Sequence, residues 1–407
     1  MPDVLAEVLR HNAGRDPERL AMKYARIRQN PFVFMRGTCH LFHQQLPDHK
    51  AFVKAPPAWA CGDLHLENFG SYKGDNRLVY FDINDFDEAV LAPATLDALR
   101  FMSSVTLAAE TMQVSAKEAK ALNGAFLDAY FGALAQGKAR WIERDTAQGL
   151  VHDLLDGLRA RQRPAFLDGR TVLKGQRRTL RVDGKKALPV TAAQRRHVVS
   201  LLDAFACTQD KPGFFDVLDV ARRIAGNGSL GLERYVILVR GKGAPDGHYL
   251  LDLKAAAPSC LKPHLPLRHP KQPKWASQAH RVVALQRRMQ AVSMAFLHPI
   301  VHGEQSYVLR ALQPSEDRVS LSGPGIGVVQ LQGVIRQMAQ CLAWAQLRSS
   351  GRQGSAIADE LVEWGQTQQW RKALLAGADA CAQQVHADWL RYAEAYDDGA
   401  FDLAIQK

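Results

Sequence analysis

The sequence has no apolar run long enough to span a bilayer, so nothing in it suggests a membrane-embedded protein. It has no C-x-x-C pair. Its six cysteines (Cys39, Cys61, Cys207, Cys260, Cys341, Cys381) are scattered. That spacing excludes a zinc finger and speaks against a disulfide framework. Reduced thiols, and an opening M-P-D-V-L-A-E-V-L-R that is acidic and amphipathic rather than signal-like, point to the cytoplasm. No repeat and no long low-complexity linker is present. The most pointed absence is of acid: from Ala255 to Gly303 there is no Asp or Glu. The same segment carries Lys262, His264, Arg268, His269, Lys271, Lys274, Arg281, Arg287 and Arg288, a field that attracts anions. The whole chain has a net charge of +11 over 407 residues. A zinc-finger, helix-turn-helix or aromatic-basic strand motif is missing, so a polyphosphate ligand is preferred to nucleic acid. With 47% apolar and 23% charged residues, the composition is that of a soluble globular protein with room for two or three units.

What is present centres on Cys61 to Asp97: C-G-D-L-H-L-E-N-F-G, a hairpin, then Y-F-D-I-N-D-F-D-E-A-V-L-A-P-A-T-L-D. Asp63 and Asn68 have the D-x-x-x-x-N spacing of a kinase catalytic loop. There the Asp accepts the proton of the substrate hydroxyl and the Asn holds magnesium. A second acidic cluster follows at Asp82, Asp85 and Asp87, where another metal-holding carboxylate is needed. Magnesium suits such a set, because it takes one or two protein oxygens and keeps its waters. The flanking residues Leu64, Leu66, Phe69 and Leu78 to Phe81 predict two short strands around a turn at Lys73 to Asn76. The plain alternative is a solvated acidic turn. It fits poorly with acids that interrupt an aromatic, strand-like run. A metallophosphoesterase also opens with G-D-x-H, but its further metal blocks are missing.

G-D-L-H-L-E-N, D-F-D-E-A and P-A-T-L-D resemble the aminoglycoside and choline phosphotransferase branch of the protein-kinase-like fold. The resemblance implies Asp63 as catalytic base and His65 as loop histidine. It implies Asn68 and Asp85 as metal ligands and Asp97 as the structural aspartate beyond them. Cys61 stands where that branch usually has histidine. N-P-F-V-F-M-R-G, G-D-L-H-L-E-N-F-G and F-D-I-N-D-F-D-E-A are similar, over most of the chain, to an uncharacterised bacterial family, domain of unknown function 2252. That likeness implies the same fold and brings no substrate.

The second informative stretch is Phe214 to Ala257. V-L-D-V-A-R-R-I-A leads into G-N-G-S-L-G, with Gly226, Asn227, Gly228, Ser229 and Gly231. In a dinucleotide fold such glycines open a helix. Here they precede Val236, Ile237 and Val239, a Gly-Pro turn and H-Y-L-L-D-L-K. The pattern is strand, glycine loop, strand, strand. Glycines let the backbone approach phosphates, and Lys254 then matches the lysine that pairs with them. The plain alternative for Lys254 is a strand-edge lysine.

Around these pieces the pattern is mostly helical. Leu96 to Ala108, Leu122 to Leu134, Lys274 to Met294, Val328 to Arg348 and Asp359 onward carry helical periodicity, and Tyr307 to Leu312 reads as a strand leading to a hinge. Arg159 to Arg196 is a basic hairpin or insertion whose plain reading is a solvated charge run. Arg36 follows an apolar run; it either reaches the site or sits on the surface near a strand end. His40 and His43 read as core or surface histidines rather than ligands.

These readings give an α+β, kinase-like two-lobe fold with circularly permuted motifs, since the catalytic loop precedes the glycine loop. Residues 1–210 would hold the catalytic and metal loops, large-lobe helices and the basic insertion. Residues 211–315 would form the small nucleotide-binding lobe, and 316–407 the closing helices. The expected activity is Mg-ATP-dependent phosphoryl transfer to a hydroxyl of an acceptor, with ATP and Mg2+ as cofactors. Kinases pair the strand lysine with a glutamate; here only Gln278, Gln286 and Gln290 offer, unless an acid arrives from elsewhere. A nucleotide-binding regulator without transfer, AMP transfer from a reversed ATP and a basic nucleic-acid binder are the rival expectations.

Overall fold

A computed structural model describes residues 3–47, 52, 54–265, 271–314, 317–367 and 369–402. Arg268 and His269 of the acid-free segment lie outside the described residues. The structure is mixed helix and strand, as expected. Four short helices open it: Val4–Asn12, Pro17–Ile27, Pro31–Gly37 and Cys39–Gln44. Asp16 and Asn30 cap the second and third, each followed by Pro at the first helical position. N-P-F-V-F-M-R-G is therefore a helix, and Arg36 sits in its last turn rather than near a strand end.

Two antiparallel strand pairs follow. Phe69–Lys73 pairs with Val79–Ile83, Lys73 opposite Val79 across the expected turn. Pro57–Ala60 pairs with Val90–Pro93. Together they fix both ends of two loops, 61–68 and 84–89. Helices Thr95–Leu107, Ala116–Gln136, Val328–Ser349, Ala358–Gln366 and Arg371–Asp397 enclose these strands. Phe69, Phe81, Phe101, Phe126 and Tyr130 stack through one continuous apolar core. Helix Gln278–Met289 adds Val282, Val283, Leu285 and Met289 to that core. Among the described residues no helix is long and apolar enough to cross a membrane.

A six-stranded antiparallel sheet forms the other part. Its order is His298–His302, Gln305–Ala311, Tyr249–Ala255, Arg234–Val239, Val217–Arg223, Ala187–Leu188. It thus takes an edge strand from before residue 211. Helix Ala192–Ala206 covers one face, placing Val198, Leu201 and Leu202 on Tyr235, Ile237, Leu251 and Leu253. The basic segment is folded onto the other face: Leu167 and Leu180 pack against Val236, Leu238 and Leu250. Within it, Thr171–Lys174 and Arg177–Leu180 form a hairpin. Buried Arg178 pairs with Asp168 and Asp246, each at 2.6 Å, so this part of the charge run is built into the fold.

Gly365 marks a close helix crossing. A Cβ there would lie 2.6 Å from Ala135 N and 2.7 Å from Leu134 Cβ. Gly365→Ala therefore destabilises by roughly 1–3 kcal/mol through overpacking, against the gain of about 1 kcal/mol that helix propensity alone gives. Urea unfolding decides between them; a stabilised variant contradicts the crossing.

Candidate functional site

The catalytic-type loop is held from below. Asp97, fully buried in the first turn of Thr95–Leu107, accepts from Cys61 N at 2.8 Å and Gly62 N at 3.0 Å. His43 Nε2 lies 2.8 Å from Gly62 O. Gly62 has φ +85°, and a Cβ there would meet Glu88 O at 2.4 Å, so only glycine fits between the two loops. The loop then turns through a short 3-10 segment, Leu66–Asn68. His65 Nδ1 accepts from Glu67 N at 3.1 Å, and its ring meets Phe32 edge to face. Burial, with Arg36 and Arg100 nearby, holds His65 well below the usual histidine range. It is a neutral cap of the turn. Asn68 Nδ2 donates to Asp63 O, which leaves the amide oxygen as the free ligand atom.

Asp63 is paired. Arg100 Nε donates to Asp63 Oδ1 at 2.9 Å and Nη2 to the same oxygen. Burial still outweighs Arg100 and raises Asp63 to about 6. The carboxylate form needed for a base is therefore present above that pH and lost below it. Arg36 Nη2 and Arg318 Nη1 both reach Glu67 Oε2, at 2.7 and 2.6 Å.

The three downstream acids part company. Asp82 is buried in its strand, 3.1 Å from Arg348 Nη2, and accepts from Ala291 N. It is a structural ion pair outside the cleft. Asp85 and Asp87 lie beyond the strand end, with Asp87 N donating to Asp85 Oδ1 at 3.2 Å. Asp87 pairs with Lys254 Nζ. The lysine thus has its acid, from a loop 167 positions away rather than from a helix. The three glutamines are engaged elsewhere: Gln278 with Arg281, Gln286 with Gln290, and Gln290 with Ile83 O.

The glycine loop connects Val217–Arg223 to Arg234–Val239, and Lys254 lies opposite Arg234 on the next strand. Gly226, Asn227, Gly228 and Ser229 face one cleft together with Asp63, His65, Asn68, Asp85, Asp87 and Lys254. Gly231 does not; it packs on Arg15 and Leu20. The loop lies low: a Cβ on Gly228 would sit 3.9 Å from Asp63 Oδ2. About 100 Å3 of cavity remains, below the roughly 300–1,000 Å3 of pockets that bury a drug-sized ligand. Gly228 O accepts from Arg15 Nη1 at 2.8 Å and Lys23 Nζ at 3.0 Å. Lys23 is fully buried, which drives its amine well below the usual lysine range.

Arg15, Lys23, Arg100 and Arg318 carry no local motif and were not legible as site residues. The helix signals Asp16-Pro17 and Asn30-Pro31 would have placed Arg15 and Arg36 at helix ends. Among the described residues no three of His, Cys, Asp and Glu form a metal cage. Asn68 and Asp85 line the same cleft, and an amide oxygen with a carboxylate is the kind of oxygen pair that could hold magnesium alongside water.

Removing the support of the loop tests this geometry. Asp97→Ala leaves two buried N–H groups without an acceptor, at roughly 1–3 kcal/mol each. A fall of about 2–5 kcal/mol in unfolding free energy is expected; a change under about 0.5 kcal/mol contradicts the role.

No curated protein and no solved structure matches the chain. A family model described as an uncharacterized protein conserved in bacteria, domain of unknown function 2252, matches residues 15–395, nearly the whole length. The chain belongs to that bacterial family.

Proposed function

We propose that this protein is a Mg-ATP-dependent phosphotransferase of kinase-like, circularly permuted architecture that acts on a hydroxyl group. One observation carries the reading. Residues on either side of a long sequence gap, Asp63, Asn68 and Asp85 on one and Gly226 to Ser229 and Lys254 on the other, line a single cleft. Phosphoryl transfer needs that grouping and little else from the protein.

In the proposed reaction Asp63 Oδ2, the oxygen not engaged by Arg100, takes the acceptor hydroxyl proton. The acceptor oxygen bonds to the γ-phosphorus, the bond from that phosphorus to the β,γ-bridging oxygen breaks, and ADP leaves. Asn68 and Asp85 hold magnesium, which neutralises charge on the phosphates. Lys254, oriented by Asp87, and the N–H groups of the glycine loop bind the phosphates. His65 keeps the loop in shape. The low position of the glycine loop requires it to lift for a nucleotide to enter.

The rival reading is AMP transfer, in which the acceptor oxygen would bond to the α-phosphorus and pyrophosphate would leave; the mass added to the acceptor, phosphate or AMP, separates the two.

The test is thermal stabilisation by ATP with and without magnesium, in the wild type and in Asp85→Ala and Asp63→Ala. Ligand binding raises the melting temperature by mass action. The wild type should shift with magnesium, Asp85→Ala should lose the magnesium-dependent part, and Asp63→Ala should keep the shift while losing turnover. No shift in the wild type removes the nucleotide reading.

A further inference from the structure

The glycine loop is pinned by the first two helices. Arg15 Nη1, just before helix Pro17–Ile27, donates to Gly228 O at 2.8 Å and to Leu230 O at 3.3 Å. Lys23 Nζ, inside that helix, donates to Gly228 O at 3.0 Å. Asp16 N donates to Gly231 O at 2.9 Å. These donors all belong to residues 15–23, and these acceptors are all loop carbonyls. Lys23 is fully buried, and its amine also donates to buried Asn12 Oδ1 at 2.7 Å, which fixes it at the loop. Arg15 Nη2 lies 3.2 Å from His11 Nε2, and His11 stacks on His40 at 3.9 Å. A Cβ on Gly231, at φ +89°, would stand 2.8 Å from Arg15 Cβ, so loop and segment meet closely.

The pinning segment is itself anchored on two sides. Asp16 and Glu18 pair with Arg222, on the strand that leads into the loop, at 2.9 and 2.7 Å. At the other end of the helix, Arg28 pairs with Asp397 at 2.6 Å, and Tyr392 Oη donates to Tyr24 O at 3.0 Å. The pinning side chains thus ride on helices, while the loop belongs to the sheet.

The pinned position closes the site. A Cβ on Gly228 would lie 3.4 Å from Arg36 O and 3.9 Å from Asp63 Oδ2, so the loop backbone covers the oxygen that faces the acceptor in the proposed reaction. The cleft beneath holds about 100 Å3, against the roughly 300–1,000 Å3 of pockets that bury drug-sized ligands. Lifting the loop breaks its hydrogen bonds to Arg15 and Lys23, which are of the strong, charge-assisted kind. A ligand that binds only the open state has an apparent Kd equal to its intrinsic Kd divided by the open fraction. Whatever holds the loop down therefore weakens binding.

We propose that Arg15 and Lys23 form a latch that holds the glycine loop shut over Asp63 and sets the affinity for Mg-ATP through the open fraction. The latch rests on the nucleotide reading above and adds its regulation: movement of helix Pro17–Ile27 opens or closes the site.

The experiment pairs hydrogen exchange of the Asp16 amide, which is bonded to Gly231 O, with calorimetric titration of Mg-ATP. It uses the wild type, Lys23→Met, Arg15→Ala and, as control, Arg10→Ala at an exposed position of the first helix. In each latch variant the Asp16 amide should lose protection and Mg-ATP should bind roughly tenfold more tightly, the effect of one hydrogen bond to a charged group; Arg10→Ala should match the wild type. If Lys23→Met does not fold, Arg15→Ala decides. Protection that stays at the wild-type level overturns the latch. So does an affinity that stays level or falls while the wild type binds; a fall would make Arg15 and Lys23 ligands of the phosphates instead. A wild type that binds no Mg-ATP overturns the nucleotide reading and the latch with it.

Discussion

The ion pair between Lys254 and Asp87 is the contact on which the site depends. One partner belongs to the six-stranded sheet and the other to the loop after the Val79–Ile83 strand. The pair therefore ties the sheet to the 84–89 loop across the cleft. It also fixes the lysine, buried to 3% exposure, where an uncompensated ammonium would not persist. Burial lowers the Lys254 amine from its ordinary range, and the acids facing it, Asp85 foremost, oppose that shift. The carboxylate partner that the acid-free segment lacks thus comes from another part of the chain.

Around this pair the molecule handles charge in two ways. Acids near the loop are individually matched: Asp63 by Arg100, Glu67 by Arg36 and Arg318, Asp82 by Arg348. On the sheet side Arg223, Arg234 and Arg310 gather around the one buried carboxylate of Asp252. The glycine loop spans the two regions. Its Gly228 carbonyl is held by Arg15 and Lys23, so the first helices set how low the loop lies.

Much of the fold was readable where a local signal exists. Apolar residues flanking the turn at Lys73 to Asn76 marked the Phe69–Ile83 hairpin, and helical periodicity marked Val328–Ser349. The residues after G-N-G-S-L-G marked a strand rather than a helix. What escaped was mostly long-range or hidden by composition. N-P-F-V-F-M-R-G is rich in strand formers, yet Asn30 and Pro31 start a helix that buries Phe32, Phe34 and Met35. Asp82, Asp85 and Asp87 look alike in sequence; only the strand end at Ile83 sends the first to Arg348 and the others to the cleft. Arg15 and Lys23 meet Gly228 across more than 200 positions, and no spacing rule reaches that far.

In the proposed function one metal–nucleotide complex is held from both sides of the cleft. Water-proton relaxation with Mn2+ in place of Mg2+ tests it directly, because a Mn–ATP complex held on the protein relaxes water faster than a free one. Enhancement is expected in the wild type and is expected to be lost in Asp85→Ala and, separately, in Lys254→Ala. Enhancement that is absent in the wild type, or that survives both substitutions, contradicts it.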